Sequence, residues 1–266
     1  MSSEGIYVGI GGWNYEPWRQ TFYPPGLPAA RELEYASRQL TAIEVNGTYY
    51  SSFKPPTFAK WRDSTPQGFM FSLKAHRFAT NRRVLAEAGE SVQRFVDSGI
   101  AELGEKLGPI VWQFAPSKRF DPVDFAAFLQ LLPSAVAGVP LRHALDVRHE
   151  SFRCAEFLAL ARRHGATIVF TESDDYPAIA DASGSFIYSR IMRTVSALPQ
   201  GCTAEVLDAL AASARCWRAG GTPAGVPLVE PELREGSAAR DVFMFFISGA
   251  KERAPAAAMA LIERLR

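Results

Sequence analysis

The sequence predicts one α/β domain over residues 1–266, folded as a closed (β/α)8 barrel with a parallel eight-stranded sheet and outer helices. Three observations carry this. Eight short apolar segments with the two-residue period of strands mostly alternate with segments of helical period. That alternation calls for parallel pairing through right-handed crossovers, and 266 residues is the length of one such barrel. Neither G-x-G-x-x-G nor a Walker A motif occurs, which counts against an open doubly wound sheet.

The first strand is Ile6–Gly12 (IYVGIGG). Gly9 and Gly11 share one face, either as a backbone cradle for a ligand or to let strands pack closely. Pro24, Pro25 and Pro28 make a loop, and Arg31–Leu40 is helical, with Leu33, Ala36 and Leu40 in register. In Thr41–Tyr50, the second strand, Ile43 and Val45 face one way and Glu44, Asn46 and Thr48 the other. A short helix, Thr57–Asp63, leads to the third strand, Phe69–His76, with Ser72, Lys74 and His76 on one side. Glu87–Leu107 reads as one helix stopped by Gly108-Pro109. The fourth strand is Ile110–Phe114, with Val111 and Gln113 on a shared face, and Pro122–Leu132 is helical.

The fifth strand lies in Leu141–Arg153 (LRHALDVRHESFR). Asp146 and Arg148 share a face there, and a buried strand carries an acid beside a guanidinium only when they are paired or used. His149 follows at the strand end. The helix Phe152–Arg163 runs into His164-Gly165, so His164 reads as a cap. Ala166–Glu172 and Phe186–Arg190 are strands six and seven, with Tyr188 and Arg190 on one side of the latter. A helix over Thr203–Ala219, a Gly/Pro/Glu-rich connection over 220–240, strand eight (Asp241–Ile247) and a closing helix (Ala256–Leu265) complete the chain.

Hydrophobic residues make up 47% and charged residues 21%, and the formal net charge of +1 provides no global field toward nucleic acid or membrane. The three cysteines, Cys154, Cys202 and Cys216, form no CxxC. An odd, scattered set argues against a disulfide framework or structural zinc and fits a reducing cytosol. Cys154 reads as a small residue at a helix start rather than a nucleophile. The stretch MSSEGIYVGIGG lacks the basic region of a secretory leader, and no segment approaches the ~18 apolar residues of a membrane span. The expectation is a cytoplasmic protein.

In such barrels the C-terminal strand ends carry the site. The polar residues expected there are Glu44, Asn46, Lys74, His76, Gln113, Asp146, Arg148, His149, Glu172, Tyr188 and Arg190.

Several blocks in order resemble a known family. GIGGWNYEPWRQTFYPPGLP, AIEVNGTYY, KWRDSTPQGFMFSLKAH, LGPIVWQFAPSKRFD and LDVRHESF together resemble the YecE-like proteins, a TIM-barrel family of unknown function. The resemblance implies the barrel and no particular reaction. Residues matching its polar pattern are Trp13, Tyr15, Glu44, Asn46, Tyr49, Lys74, Gln113, Asp146, Arg148, His149 and Arg190. The chain departs from it at Ile191-Met192-Arg193, where a histidine and glycine are common, and at Ile247-Ser248-Gly249, where paired asparagines are common.

The chemistry expected starts from charge. Lys74, Arg148 and Arg190 would converge near His76 or His149, partly balanced by Glu44, Asp146 and Glu172. Two guanidinium forks suit a carboxylate or phosphate, so the expected ligand is a small anionic molecule, phosphorylated or carbohydrate-like. Glu44, Lys74, Asp146, Arg148 and His149 are the candidate catalytic set, with acid–base work in hydrolysis, isomerisation or lyase chemistry all open. Trp13, Tyr15, Asn46, Tyr49, His76, Gln113, Glu172, Tyr188 and Arg190 are the candidate substrate-binding set. Trp13 and Tyr15 could stack on a sugar or base or close the barrel, and Trp18 reads as a lid. No cofactor or metal is required by the sequence. The alternative is one divalent ion on Glu44, Asp146, His149 and Glu172. With only four histidines, His143 at the wrong strand end and His164 a cap, a multinuclear zinc site is not expected. The competing class is a nucleic-acid binder or nuclease-like protein using Lys74, Arg82, Arg83, Arg148 and Arg193. The run Arg77–Arg83 (RFATNRR) favours it, and the small net charge weighs against it. The sequence sets no oligomeric state.

Overall fold

In the computed structural model, which describes residues 4–231 and 238–266, eight parallel strands close on themselves. The first residues of the N-terminal stretch (1–3) and part of the 220–240 connection (232–237) lie outside the described residues. The barrel strands are β1 (Ile6–Gly11), β2 (Ala42–Val45), β3 (Met70–Lys74), β4 (Leu107–Gln113), β7 (His143–Asp146), β8 (Thr167–Glu172), β9 (Phe186–Ile191) and β10 (Asp241–Phe246). A two-stranded hairpin, β5 (Ala135–Val136) with β6 (Val139–Pro140), stands outside the barrel, turning through Ala137 and Gly138 at positive φ. Each barrel strand pairs with its neighbours in chain order, and β10 closes on β1.

Helices α1 (Glu32–Gln39), α3 (Pro55–Asp63), α4 (Gly89–Val96), α5 (Pro122–Gln130), α6 (Ala155–Arg163), α7 (Ala204–Arg218) and α8 (Ala254–Leu265) cover the outside; a short α2 (Gly47–Tyr50) rides on the end of β2. Local chemistry sets their starts. Pro122 opens α5 while the Asp121 carboxylate accepts the Val123 and Asp124 N–H groups at 3.0 and 3.1 Å. His164 is the C-terminal cap of α6 and Cys154 its N-terminal cap position, as expected. Trp18 is fully buried and donates its indole N–H to the Lys251 carbonyl at 3.0 Å, tying the loop after β1 to the loop after β10. No helix among the described residues is long and apolar enough to cross a membrane.

The structure departs from the expectations in three places. Strand two is shorter: after Val45 the chain turns into α2, so Tyr49 and Tyr50 sit on a helical turn. The expected helix 87–107 is broken. Gly99 adopts φ 107 where an added Cβ would lie 2.6 Å from Pro55, and a 3-10 stretch follows. Gly108-Pro109 does not stop a helix but lies inside β4. A Cβ on Gly108 would meet the Phe71 carbonyl oxygen at 2.8 Å, so glycine lets β3 and β4 approach. Likewise Gly9 serves packing: its Cβ would lie 1.9 Å from the Ala42 carbonyl oxygen.

The barrel interior is layered. Ala42, Met70, Val111, Ala144, Val169, Phe186, Phe243 and Phe245 form an apolar plug. Tyr188 caps it, with its ring stacked on Phe243 at 6.3 Å and tilted on Phe245 at 5.2 Å. Above Tyr188, toward the C-terminal strand ends, the interior turns ionic.

Candidate active site

Arg190 of β9 is the centre of this ionic layer. Its Nε and Nη2 donate to Glu44 Oε2 and Oε1 at 3.1 and 3.0 Å, and its Nη1 donates to Asp146 Oδ2 at 2.7 Å. Arg190 is 2% exposed, and both acids are fully buried. Tyr188 donates its hydroxyl to Glu44 Oε2 at 2.7 Å, and Ser72 Oγ lies 2.8 Å from the Tyr188 oxygen and 2.9 Å from the Pro109 carbonyl. Burial, then the Glu44 charge, holds the Tyr188 phenol well above its ordinary pKa, so it remains a donor. Burial opposes the Arg190 cation, but Glu44 and Asp146 outweigh it and raise its pKa. The fork-to-fork geometry satisfies both oxygens of Glu44. Arg190 is therefore committed to protein partners. This corrects the expectation that it offers its fork to a ligand.

Two other cations at the mouth are not committed in this way. Lys74 extends from β3, and its ammonium stands 4.6 Å from the centre of the Tyr49 ring. It makes no hydrogen bond among the described residues. Burial first, then the Arg190 charge, lowers its pKa to about 8, against the pull of Glu44 and Asp146; Arg148 lowers it further. Arg148, just past β7, donates Nη2 to Gln113 Oε1 at 2.9 Å and to Asp146 Oδ2 at 3.2 Å, and its guanidinium lies 4.4 Å from the centre of the Tyr176 ring. Its Nε is buried without a partner among the described residues, as are Asp146 Oδ1 and Thr171 Oγ1. Buried polar atoms rarely stay unsatisfied, so this cluster of unmet donors and acceptors marks where a ligand or water belongs.

The other expected residues divide. Gln113 and Tyr49 are at the mouth, by the contacts above. Asn46 ends β2 beside Gly11, whose added Cβ would lie 2.9 Å from the Asn46 amide nitrogen. Asn46 and Gly11 also line a cleft of about 800 Å³ running between the end of β2, the loop after β1, and α3. Trp13 lines that cleft, packed edge-on against Trp61 at 5.2 Å, and Lys60 and Lys251 border it. Tyr15 holds Lys251 instead, with the ammonium 4.4 Å over its ring, and packs edge-on against Trp18.

Three expected residues are not brought into the ionic layer. Glu172 pairs in register with Ile191, whereas Thr171 pairs with Arg190, so the alternation turns Thr171 inward and Glu172 to the outer face of β8. His76 caps a 3-10 turn, accepting the Phe78 N–H at Nδ1 and packing against the Phe78 ring at 4.8 Å, beside Ser51, Ser52 and Arg94. His149 likewise accepts the Ser151 N–H at Nδ1, 3.1 Å away, and caps the next turn. The oxygen-rich quartet of Glu44, Asp146, His149 and Glu172 therefore does not assemble. No group of three His, Cys, Asp or Glu among the described residues is placed to hold a metal. His143 lies at the opposite strand end, accepting from Trp112 Nε1 at 3.0 Å.

Sequence reasoning missed Thr171, Tyr176, Lys60 and Lys251. Strict alternation from Val169 would have found Thr171. Tyr176, Lys60 and Lys251 stand in no pattern that marks them.

The model of a protein family of unknown function, DUF72, matches residues 7–266. The chain belongs to the DUF72 family. Curated relatives of this DUF72 protein include the UPF0759 proteins YunF of Bacillus subtilis and YecE of Escherichia coli, each 25% identical over 153 and 147 residues respectively. These matches cover 55% of this chain and only about half of each relative, 52% and 50%. Crystal structures of DUF72 proteins from Thermotoga maritima (TM-score 0.69, 19% identity, 98% of both chains) and Enterococcus faecalis (TM-score 0.68, 16% identity, 98% and 95%) share the fold. The YecE-like resemblance and the barrel are thus both established.

Proposed function

We propose that the barrel mouth of this DUF72 protein is the active site of an enzyme acting on a small anionic molecule, phosphorylated or carbohydrate-like. The observation that carries this reading is the charge balance at the mouth: Arg190 and Arg148 together match the two buried acids, Glu44 and Asp146, so Lys74 is a positive charge in excess, with no ion-pair partner among the described residues, and stands beside the partly engaged guanidinium of Arg148. Glu44, Arg190 and Asp146 form the scaffold. They fix Asp146 against Arg148 and set the field at Lys74. Arg148 anchors the substrate's anion through guanidinium hydrogens that its bonds to Gln113 and Asp146, both made from Nη2, leave over. Lys74, with a pKa near 8, holds a proton at neutral pH yet releases it readily, as an acid–base group must. The substrate body extends over Asn46 and Gly11 into the cleft, where Trp13 offers a ring face.

Nucleic acid is the competing ligand. Arg82 donates to the Phe78 and Glu87 carbonyls and to Ser91 Oγ, and Arg193 pairs with Asp174 at 2.5 Å, so neither is a free phosphate contact. Titration calorimetry with sugar phosphates, nucleotides and neutral sugars tests the proposal. Binding of a phosphorylated compound that is lost in both Lys74→Met and Arg148→Met supports it. Tight binding of neutral sugars without phosphorylated ones, or steeply salt-dependent shifts of DNA or RNA in gels, would overturn it.

A further inference from the structure

The crossover from β8 to β9, residues 173–185, contains no helix. Every other connection between successive barrel strands contains a helix, and α8 follows β10. Over β8 the segment 224–231 stands in for one. Ala180 N–H donates to the Pro227 carbonyl at 2.9 Å, Val229 and Glu230 N–H donate to the Asp181 carboxylate at 2.8 and 2.9 Å, and Arg162 pairs with Glu230. A single strand of loop does not fill the volume of a helix. A cleft of about 390 Å³ remains between β8 and α7.

Its walls are mostly apolar, with Phe170, Leu210, Trp217 and Val226 among them and Phe170 and Trp217 packed edge to face at 5.9 Å, while Ser173, Ser213 and Arg193 also line it. One acid, Glu172, lines it. Glu172 Oε2 is buried without a hydrogen-bond partner among the described residues. The nearby cation, Arg193, is already paired with Asp174, so the three charges leave one negative charge beside an apolar cavity. Burial raises the Glu172 carboxyl, and Arg193 pulls it back only in part. A carboxylate held this way is satisfied by a cation that brings its own donors.

We propose that this cleft binds a small primary ammonium with an apolar, ring-sized body, its nitrogen on Glu172 and its body among Leu210, Trp217 and Val226. The site is independent of the barrel mouth, because Glu172 and Thr171 lie on opposite faces of β8. The test is calorimetric titration of the full chain with 2-phenylethylammonium and with 2-phenylethanol, its uncharged counterpart. Wild type, Glu172→Gln, Ala209→Trp and Lys74→Met are compared. Ala209 is an exposed residue of α7 bordering the cleft, so its substitution fills the space without disturbing the core. The ammonium is expected to bind saturably in the millimolar range or tighter. The alcohol and Glu172→Gln should each bind at least ten-fold more weakly, Ala209→Trp should not bind, and Lys74→Met should bind as wild type does. Equal binding of alcohol and ammonium, binding unaffected by Glu172→Gln or Ala209→Trp, or no binding at all would overturn the proposal.

Discussion

Replacing Arg190 with methionine separates scaffold from ligand-binding arm. The side chain makes three charge-assisted hydrogen bonds at 2.7 to 3.1 Å to two fully buried acids. Without it, Asp146 keeps Arg148 at 3.2 Å, but Glu44 keeps only the Tyr188 hydroxyl and the more distant Lys74. Removing one partner of a buried ion pair costs about 3–5 kcal/mol, because the partner's charge is left uncompensated. At about 2 °C per kcal/mol for a chain of this length, the melting temperature should fall by roughly 6–10 °C. Circular dichroism melts at neutral pH read this directly. Arg190→Lys should recover little, since an ammonium cannot reproduce the two-pronged contact with Glu44. A variant that melts within about 2 °C of wild type while losing anion binding would refute the reasoning, because Arg190 would then serve the ligand rather than the fold.

Further outcomes are expected. Lys74→Met should stabilise the protein at pH 7, by at most about 3.5 kcal/mol given one pKa unit is about 1.4 kcal/mol. The sign follows from a folded pKa of about 8 against an ordinary 10.5. The unfolded chain binds more protons between these values, so wild-type stability climbs with pH there and the variant's advantage shrinks. Melts from pH 7 to 10.5 check it, and a constant difference would contradict it. Arg148→Met, at a side chain 12% exposed, should lower the melting temperature less than Arg190→Met while weakening anion binding at least ten-fold by calorimetry. Gly9→Ala should cost about 1–3 kcal/mol in chemical denaturation, since the new Cβ meets the Ala42 carbonyl at 1.9 Å. Trp13→Ala should reduce substrate affinity several-fold with little change in melting, if the cleft holds the substrate body.

How much was legible in the sequence varies with the kind of signal. Period-two alternation found every barrel strand and put Glu44, Lys74, Gln113, Asp146, Tyr188 and Arg190 in one interior, because a buried face repeats strictly along a strand. It failed where strands end. His76 and His149 lie two and three residues past their strands, and there a histidine nitrogen caps the next turn instead of continuing the strand's inward face. Glu172 was assigned by residue type rather than by parity, and parity with Thr171 was the better guide. The break at Gly99 stayed hidden because the apolar stripe of 87–107 persists through it, although the backbone does not. The commitment of Arg190 was also out of reach. Composition shows three cations and three acids, but only distances show which of them are paired.

The central claim is that Lys74 and Arg148, and not Arg190, present positive charge to a ligand at the barrel mouth. Crystals soaked in tungstate test this most directly. Anomalous density within hydrogen-bonding reach of both Lys74 Nζ and the Arg148 guanidinium is the predicted result. Tungstate bound at other surfaces while that position stays empty, or bound to Arg190 with Glu44 displaced, would contradict it.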